Sequence, residues 1–249
     1  MELYENERLD YVNDALSLIQ KTDGLTFGTD ALLLAGYVRG KSRLGLEIGG
    51  GTGIISMLLV TREKIEKIDT VEVQTDYAEL IKRNIELNGL SDKMTAVCAD
   101  VRALKRCEAY DIVFSNPPYM KADTGRHNEN DSKCAARHEM NGDIGELISA
   151  GAGQLRWGGT MVCVYRPDRL IDILSAMREA GVEPKRMTYV HAAIFSKPSM
   201  VLIEAKRGGK SGINVTRPLI IYKHGTSGEY SDDMNFIMEN GSFPADFYP

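Results

Sequence analysis

LGLEIGGGTGIIS, residues 44–56, is the stretch on which the fold turns. Its first five residues form a short apolar run that reads as a buried strand, and Ile54 opens a segment with helical spacing. Between the two lie Gly49, Gly50, Gly51 and Gly53. Glycines in such a turn can take positive φ and let the main chain come close to a ligand. A strand, a glycine turn and a helix in immediate succession make the first βα unit of a doubly wound sheet.

Downstream, similar apolar runs recur at 67–73, 94–99, 110–115 and 160–165, with helical segments at 54–61, 76–88 and 143–155. The second of these helices has Asp76 near its start, Leu80, Ile81 and Ile85 at helical spacing, and Gly89 just beyond its end. A helix over 167–180 and strands at 186–193 and 200–206 follow, the last two close enough to form an antiparallel edge hairpin. The expected fold is therefore α/β: a doubly wound, mostly parallel seven-stranded sheet with that hairpin at one side. Residues 1–40 are expected as an N-terminal cap segment, 41–207 as the main domain, and 208–249 as an extension packed on it.

Bulk properties narrow the class. A chain of 249 residues with 43% hydrophobic and 26% charged residues has the composition of a folded globular domain, not of a disordered one. Cys98, Cys107, Cys134 and Cys163 are widely separated, without CxxC or paired histidines, so no metal site or disulfide framework is expected. The acidic N-terminus lacks the basic and apolar regions of a leader, and no run is long enough to span a bilayer; a cytoplasmic location is expected. A net charge of -5 excludes indiscriminate coating of nucleic acid, although a local basic patch is compatible with it. Oligomeric state, monomer or homodimer, is not encoded legibly.

The candidate cofactor site follows from the glycine turn. A nicotinamide dinucleotide wants GxGxxG with its pyrophosphate on the helix N-terminus. Here the pattern is ExGxGxG, with Glu47 at the strand end followed by Gly49, Gly51 and Gly53. A carboxylate there repels a pyrophosphate, but suits the cationic end of S-adenosylmethionine, directly or through water. Glu72 ends the second strand, where this fold places an acceptor for ribose hydroxyls, and Asp100 ends the third, where it can take an adenine amino group. Either one alone equally fits a solvated strand-end carboxylate.

The fourth strand runs into Asn116-Pro117-Pro118-Tyr119. Two prolines hold the turn rigid and leave its carbonyls free to accept. A planar NH2 group offers two donors, which the Asn116 side-chain oxygen and the Pro117 carbonyl can each accept, while Tyr119 stacks on the flat target. With an activated methyl donor, what remains is in-line placement, worth about 7 kcal/mol or more. An ordinary proline turn is the plainer alternative, but it does not explain the turn's place after an apolar strand and downstream of ExGxGxG.

With these motifs the chain resembles the class I methyltransferases that carry NPPY, and among them the bacterial tRNA(Val) adenine-N6 methyltransferase family. The resemblance extends over LTFGTDALLLAGYV (25–38), LEIGGGTGIIS, VEVQTDYAELIKRNIELNGL (71–90), SNPPYM (115–120), ARHE (136–139), RPLIIY (217–222) and GEYS (228–231). It implies that Glu47, Gly49, Gly51, Gly53, Glu72 and Asp100, with their neighbours Val73 and Val101, hold S-adenosylmethionine. Thr29 and Asp30, which read locally as a helix cap, lie over its methionine end in the family. It also implies that Asn116, Pro117, Pro118 and Tyr119 hold the target amine, and that the substrate is RNA, most simply a tRNA modified beside the anticodon. Many relatives start the first motif with Asp and have a small polar residue at the position of Gly50. Lys121, Arg126, Lys133, Arg137 and His138 give the long segment after NPPY a basic character suited to phosphates, with Arg207, Lys210, Arg217 and Lys223 as possible extensions. A protein glutamine-N5 methyltransferase, a guanine-N2 methyltransferase and a non-catalytic cofactor-binding adaptor remain alternatives at this stage.

Overall fold

The apolar runs expected as strands lie side by side in one sheet of the computed structural model, which describes residues 3–24, 27–117 and 144–248. β3 (Ser42–Ile48), β4 (Ile65–Glu72), β5 (Met94–Cys98), β6 (Tyr110–Ser115) and β7 (Leu155–Tyr165) run parallel to their neighbours. Beside β7 comes antiparallel β9 (Pro198–Arg207), paired in turn with β8 (Val182–His191), which is the expected edge hairpin. The spatial order β8-β9-β7-β6-β3-β4-β5 reverses between β3 and β6. At such a reversal the loops leaving adjacent strands turn to opposite faces and open a crevice at the carboxyl edge. Gly49 and Asn116 both lie there, because Ile48 pairs with Ser115.

Seven strands were expected in this sheet, and nine are present among the described residues. The additional two, β10 (Asn214–Val215) and β11 (Leu219–Ile220), both pair with β8 and are only two residues long, too short to give a periodic signal.

Alternation along each strand supplies both faces of the sheet. Ile112 and Phe114 pack with α1 (Thr29–Tyr37), α2 (Ile54–Thr61), α3 (Thr75–Leu87) and α6 (Asp232–Asn240), while Val113 packs with α4 (Ile144–Gln154) and α5 (Leu170–Glu179) on the other side. Each fully buried aliphatic side chain in these layers contributes about 1.5–3 kcal/mol. Phe243 and Phe247, from beyond α6, belong to the first layer, so the C-terminal extension shares the main core.

Arg186 ties that extension down. Its guanidinium is fully buried, donates to Tyr37 O at 2.6 Å and to Glu204 Oε2 at 2.8 Å, and lies 3.6 Å from the Tyr37 ring centroid. Its Nη1 reaches Phe247 O at 3.4 Å, so α1, β8, β9 and the C-terminus meet on one charge.

The N-terminal segment holds a hairpin that periodicity did not reveal: β1 (Glu7–Asn13) and β2 (Leu16–Lys21). Its free edge is completed by the amides of Asn84, in α3, and Asn88, which caps that helix. Asn88 Oδ1 accepts from Ser17 N at 3.0 Å and Asn84 Oδ1 from Ile19 N at 2.7 Å, and both amides donate back to the carbonyls of the same residues. Four residues of helix rise about 6 Å and two residues of strand about 6.6 Å, so the two asparagines match the strand's repeat. This pairing depends on residues 65 and 71 positions apart, which no local pattern reports.

Candidate active site

The glycine turn is fastened to β4 by the main chain. Gly49 N and Gly50 N donate to Val71 O at 2.9 and 3.2 Å, and Gly53 N closes the turn on Gly50 O at 2.8 Å. Gly49, Gly51 and Gly53 have φ of 74, 55 and 81°, the left-handed region that glycine enters without strain. A Cβ built on Gly51 would meet nothing within 4 Å, so the turn borders open space there. Gly50 is confined instead: a Cβ there would run into Thr70 Cγ2, so the position admits no side chain while Thr70 keeps its place.

Glu72 is buried at the end of β4 and holds the same turn from the side, accepting from Gly51 N and Gln74 N, each at 3.0 Å. Each carboxylate oxygen keeps a lone pair for a further donor. Val73 follows it, half-buried.

Glu47 lies beneath the turn with no exposed surface. Ser56 Oγ donates to its Oε2, Thr70 Oγ1 donates to Ser56 at 2.9 Å, and Oε1 has no partner. Burial pushes its carboxyl up to about 8, against the pull of the Ser56 hydrogen bonds and with a small push from the Glu72 charge. Ser56 and Thr70 were not singled out in the sequence; a hydroxyl nine residues after an acidic strand end carries no local signature.

Asp100, expected at the end of the third strand, lies two residues beyond β5 and caps the short turn Val101–Ala103, with Val101 buried. Its carboxylate is engaged by Arg102, through the main-chain N at 2.9 Å and the guanidinium at 2.7 Å, which holds it below the usual carboxylate range. Sequence reading missed Arg102 because a neighbouring cation looks like any solvated charge.

Asn116 and Pro117 stand at the end of β6, next to the glycine turn. Asn116 Nδ2 donates to Asp30 Oδ2 at 2.7 Å. Asp30 is on the first turn of α1, where its Oδ1 also accepts from Ala31 N at 3.0 Å. The expected cap is corrected by this geometry: Gly28 occupies the cap position, without a side-chain bond, and Thr29 and Asp30 are already helical. Pro118, Tyr119, Lys121, Arg126, Lys133, Arg137 and His138 lie outside the described residues.

The basic residues expected to extend an RNA surface are not gathered at this edge. Arg207 ends β9, which runs antiparallel to β7, so it and Lys210 stand at the opposite edge of the sheet. Arg217 is held by Asp233 and Asp246, and Lys223 lies 3.3 Å from Glu229. Among the described residues no cluster of side chains could hold a metal ion, and no helix is long and apolar enough to cross a membrane.

Comparisons with known proteins agree with this fold. A tRNA1(Val) (adenine(37)-N6)-methyltransferase of Porphyromonas gingivalis is 27% identical over 188 residues, 71% of this chain and 72% of that protein. The enzyme so named from Aeromonas hydrophila is 26% identical over 207 residues, 82% and 85% of the two chains. In fold, the chain superposes on a predicted O-methyltransferase from Agrobacterium tumefaciens with a TM-score of 0.71 at 21% identity, over 86% of this chain and 98% of that one. The TYW2 protein of M. jannaschii, solved in complex with AdoMet, gives 0.56 at 12% identity over 83% and 88%. Residues 21–179, from the end of the N-terminal hairpin through α5, match the family model described as methyltransferase small domain, and the chain belongs to that family.

Proposed function

We propose that the protein transfers a methyl group from S-adenosyl-L-methionine to the exocyclic N6 of an adenine in tRNA, beside the anticodon. The observation that supports this reading is that Asn116 follows β6 directly, on the strand beside β3, whose glycine turn borders open space at Gly51. The relatives named as tRNA adenine-N6 methyltransferases, matched over more than 70% of the chain, supply the substrate class.

The residues present fit the cofactor. Gly51 borders open space, Glu72 retains acceptor capacity beside it, and Glu47 keeps an unpartnered oxygen beneath. Gly49, Gly51 and Gly53 bring main chain close to the ligand; Glu72 accepts its ribose hydroxyls; Val73, Val101 and Asp100 border the adenine; Thr29 and Asp30 approach the methionine end. When bound, S-adenosylmethionine supplies a methyl group already activated on a sulfonium.

What this chain adds is placement. Asn116 Oδ1 and Pro117 O accept the two N–H donors of the target amine, drawing its lone pair out of conjugation and towards the methyl carbon. Pro118 stiffens the turn and Tyr119 stacks on the base. No group has to remove a proton before transfer: as the N–C bond forms the S–C bond breaks and the sulfur would leave as the neutral thioether, and the methylated nitrogen then gives up its extra proton to water. Lys121, Arg126, Lys133, Arg137 and His138 engage phosphates. Residues 41–207 constitute the catalytic domain, with 1–40 as a cap and 208–249 as an extension on the same core.

The test is single-turnover methylation of bulk tRNA with labelled cofactor, digestion, and mass spectrometry of the nucleosides. N6-methyladenosine is the expected product. Appearance of N2-methylguanosine, or of label only in a glutamine-bearing protein fraction, would replace this substrate assignment.

A further inference from the structure

We propose that Asp30 is a positioning residue that sets which way the Asn116 amide faces, and thereby makes the site select an amino group over a keto group. The inference rests on the reading of Asn116 as the acceptor for the target amine.

The two ends of an asparagine amide have nearly the same size and shape, so packing alone does not choose between them. A carboxylate does choose. It only accepts, so the amide end facing Asp30 must be Nδ2, as the 2.7 Å contact to Asp30 Oδ2 has it, and Oδ1 must point the opposite way. A turned amide would set oxygen against carboxylate and lose a charge-assisted bond. The atom left for the substrate is therefore always an acceptor. An amino group can satisfy it, whereas a carbonyl in the same place would meet a lone pair.

Asp30 is itself fixed. Its second oxygen accepts from Ala31 N at 3.0 Å, in the first turn of α1, where the helix dipole favours an anion. Leu33, Leu34 and Tyr37 on that helix are fully buried. Lys64 Nζ binds the carbonyls of Ala35, Gly36 and Val38 at 2.9, 3.0 and 2.7 Å, so the far end of α1 cannot shift either. Gly28 clears the space the carboxylate occupies, for a Cβ there would lie 2.9 Å from Asp30 Oδ1. The helix thus delivers one acceptor to one amide from 86 positions away.

The experiment is a double-mutant cycle on the full chain, read as single-turnover methylation of tRNA at saturating cofactor and RNA. Cofactor affinity and thermal melting are measured on the same samples. Asp30→Ala should slow transfer by about 10- to 100-fold in the wild-type background, and by less than about twofold when Asn116→Ala is already present. A residue that only holds α1 in place would lower the melting temperature by similar amounts in both backgrounds and would not show this coupling. The second arm keeps side-chain volume. Asn116→Asp alone sets two carboxylates face to face; adding Asp30→Asn restores the bond with its donor reversed, and should recover about tenfold or more of the lost rate. Additive losses in the cycle, or a swapped pair no faster than Asn116→Asp alone, overturn the proposal. A wild-type protein that leaves tRNA unlabelled would instead strike the functional reading, and this inference with it.

Discussion

The glycine turn and Asn116 follow adjacent strands at one sheet edge, yet they are held by opposite means. The first is held by main-chain bonds from Gly49, Gly50 and Gly53 and by one carboxylate, Glu72, from the next strand. The second is a side chain whose described partner, Asp30, comes from a helix far off in the sequence. The difference follows from their tasks. A cradle for a ligand needs backbone brought close, which glycine gives locally. A directional acceptor needs one side-chain atom aimed, which requires a second group that can discriminate nitrogen from oxygen.

If this division holds, damage to the two regions should separate into transfer and binding. The largest effect should come from Asn116→Ala, which is expected to lower the single-turnover rate by about 10²- to 10³-fold, while calorimetry finds cofactor affinity unchanged. Full activity in that variant would end the comparison, since the amine would then be placed by something else. Gly51→Val should act on the other side. At φ of 55° a branched residue is strained, and its side chain would project into the open space of the turn. Strain of about 1–3 kcal/mol corresponds to about 5- to 150-fold weaker cofactor binding if it is relieved by distorting the turn. A folded variant with wild-type affinity would move the cofactor elsewhere.

Glu72→Ala sharpens the comparison, because this carboxylate belongs both to the turn and to the proposed ribose contact. About tenfold weaker cofactor binding is expected, with transfer at saturation retained. A loss of rate at saturating cofactor would show that the two regions are coupled through the turn.

The smallest effect concerns Glu47 and is read in the protein without ligand. Its carboxyl is pushed up to about 8 in the folded chain, against 4.5 for the free group. The folded state therefore binds this proton more tightly than the unfolded state does. The stability it contributes is complete below about pH 4.5 and is lost as pH rises through about 8. Glu47→Gln should flatten the fall of melting temperature between pH 5 and pH 9, by a few degrees at the alkaline end. An unchanged slope would mean that Glu47 stays ionised beneath the turn.

Much that depends on residues near one another in the chain was legible from the sequence, although the local hairpin of β1 and β2 and the Asp100–Arg102 pair were not. The expected strand over 110–115 and the helix over 54–61 coincide with β6 and α2, because short apolar runs and helical spacing are local properties. The positive-φ glycines, the carboxylate ending β4, the one shortly after β5, and the place of Asn116 after β6 could be read for the same reason. Glu47 shows the limit: the sequence placed it at a strand end, but whether it would face a ligand or lie sealed under the turn depended on Ser56, Thr70 and the layer packed below.

The sequence by itself thus determined the order of the βα units and the positions of the glycines and of the acids at or shortly after strand ends, since these follow from backbone periodicity and turn chemistry. Only the tertiary structure decided which groups those positions would meet. Asn84 and Asn88 completing the N-terminal hairpin, Arg186 joining four elements, Arg207 at the wrong edge, and Asp30 facing Asn116 all require the sheet order first. Each pairs or opposes residues far apart in the chain, and a hydrogen bond between such residues leaves no trace in the residues around either partner.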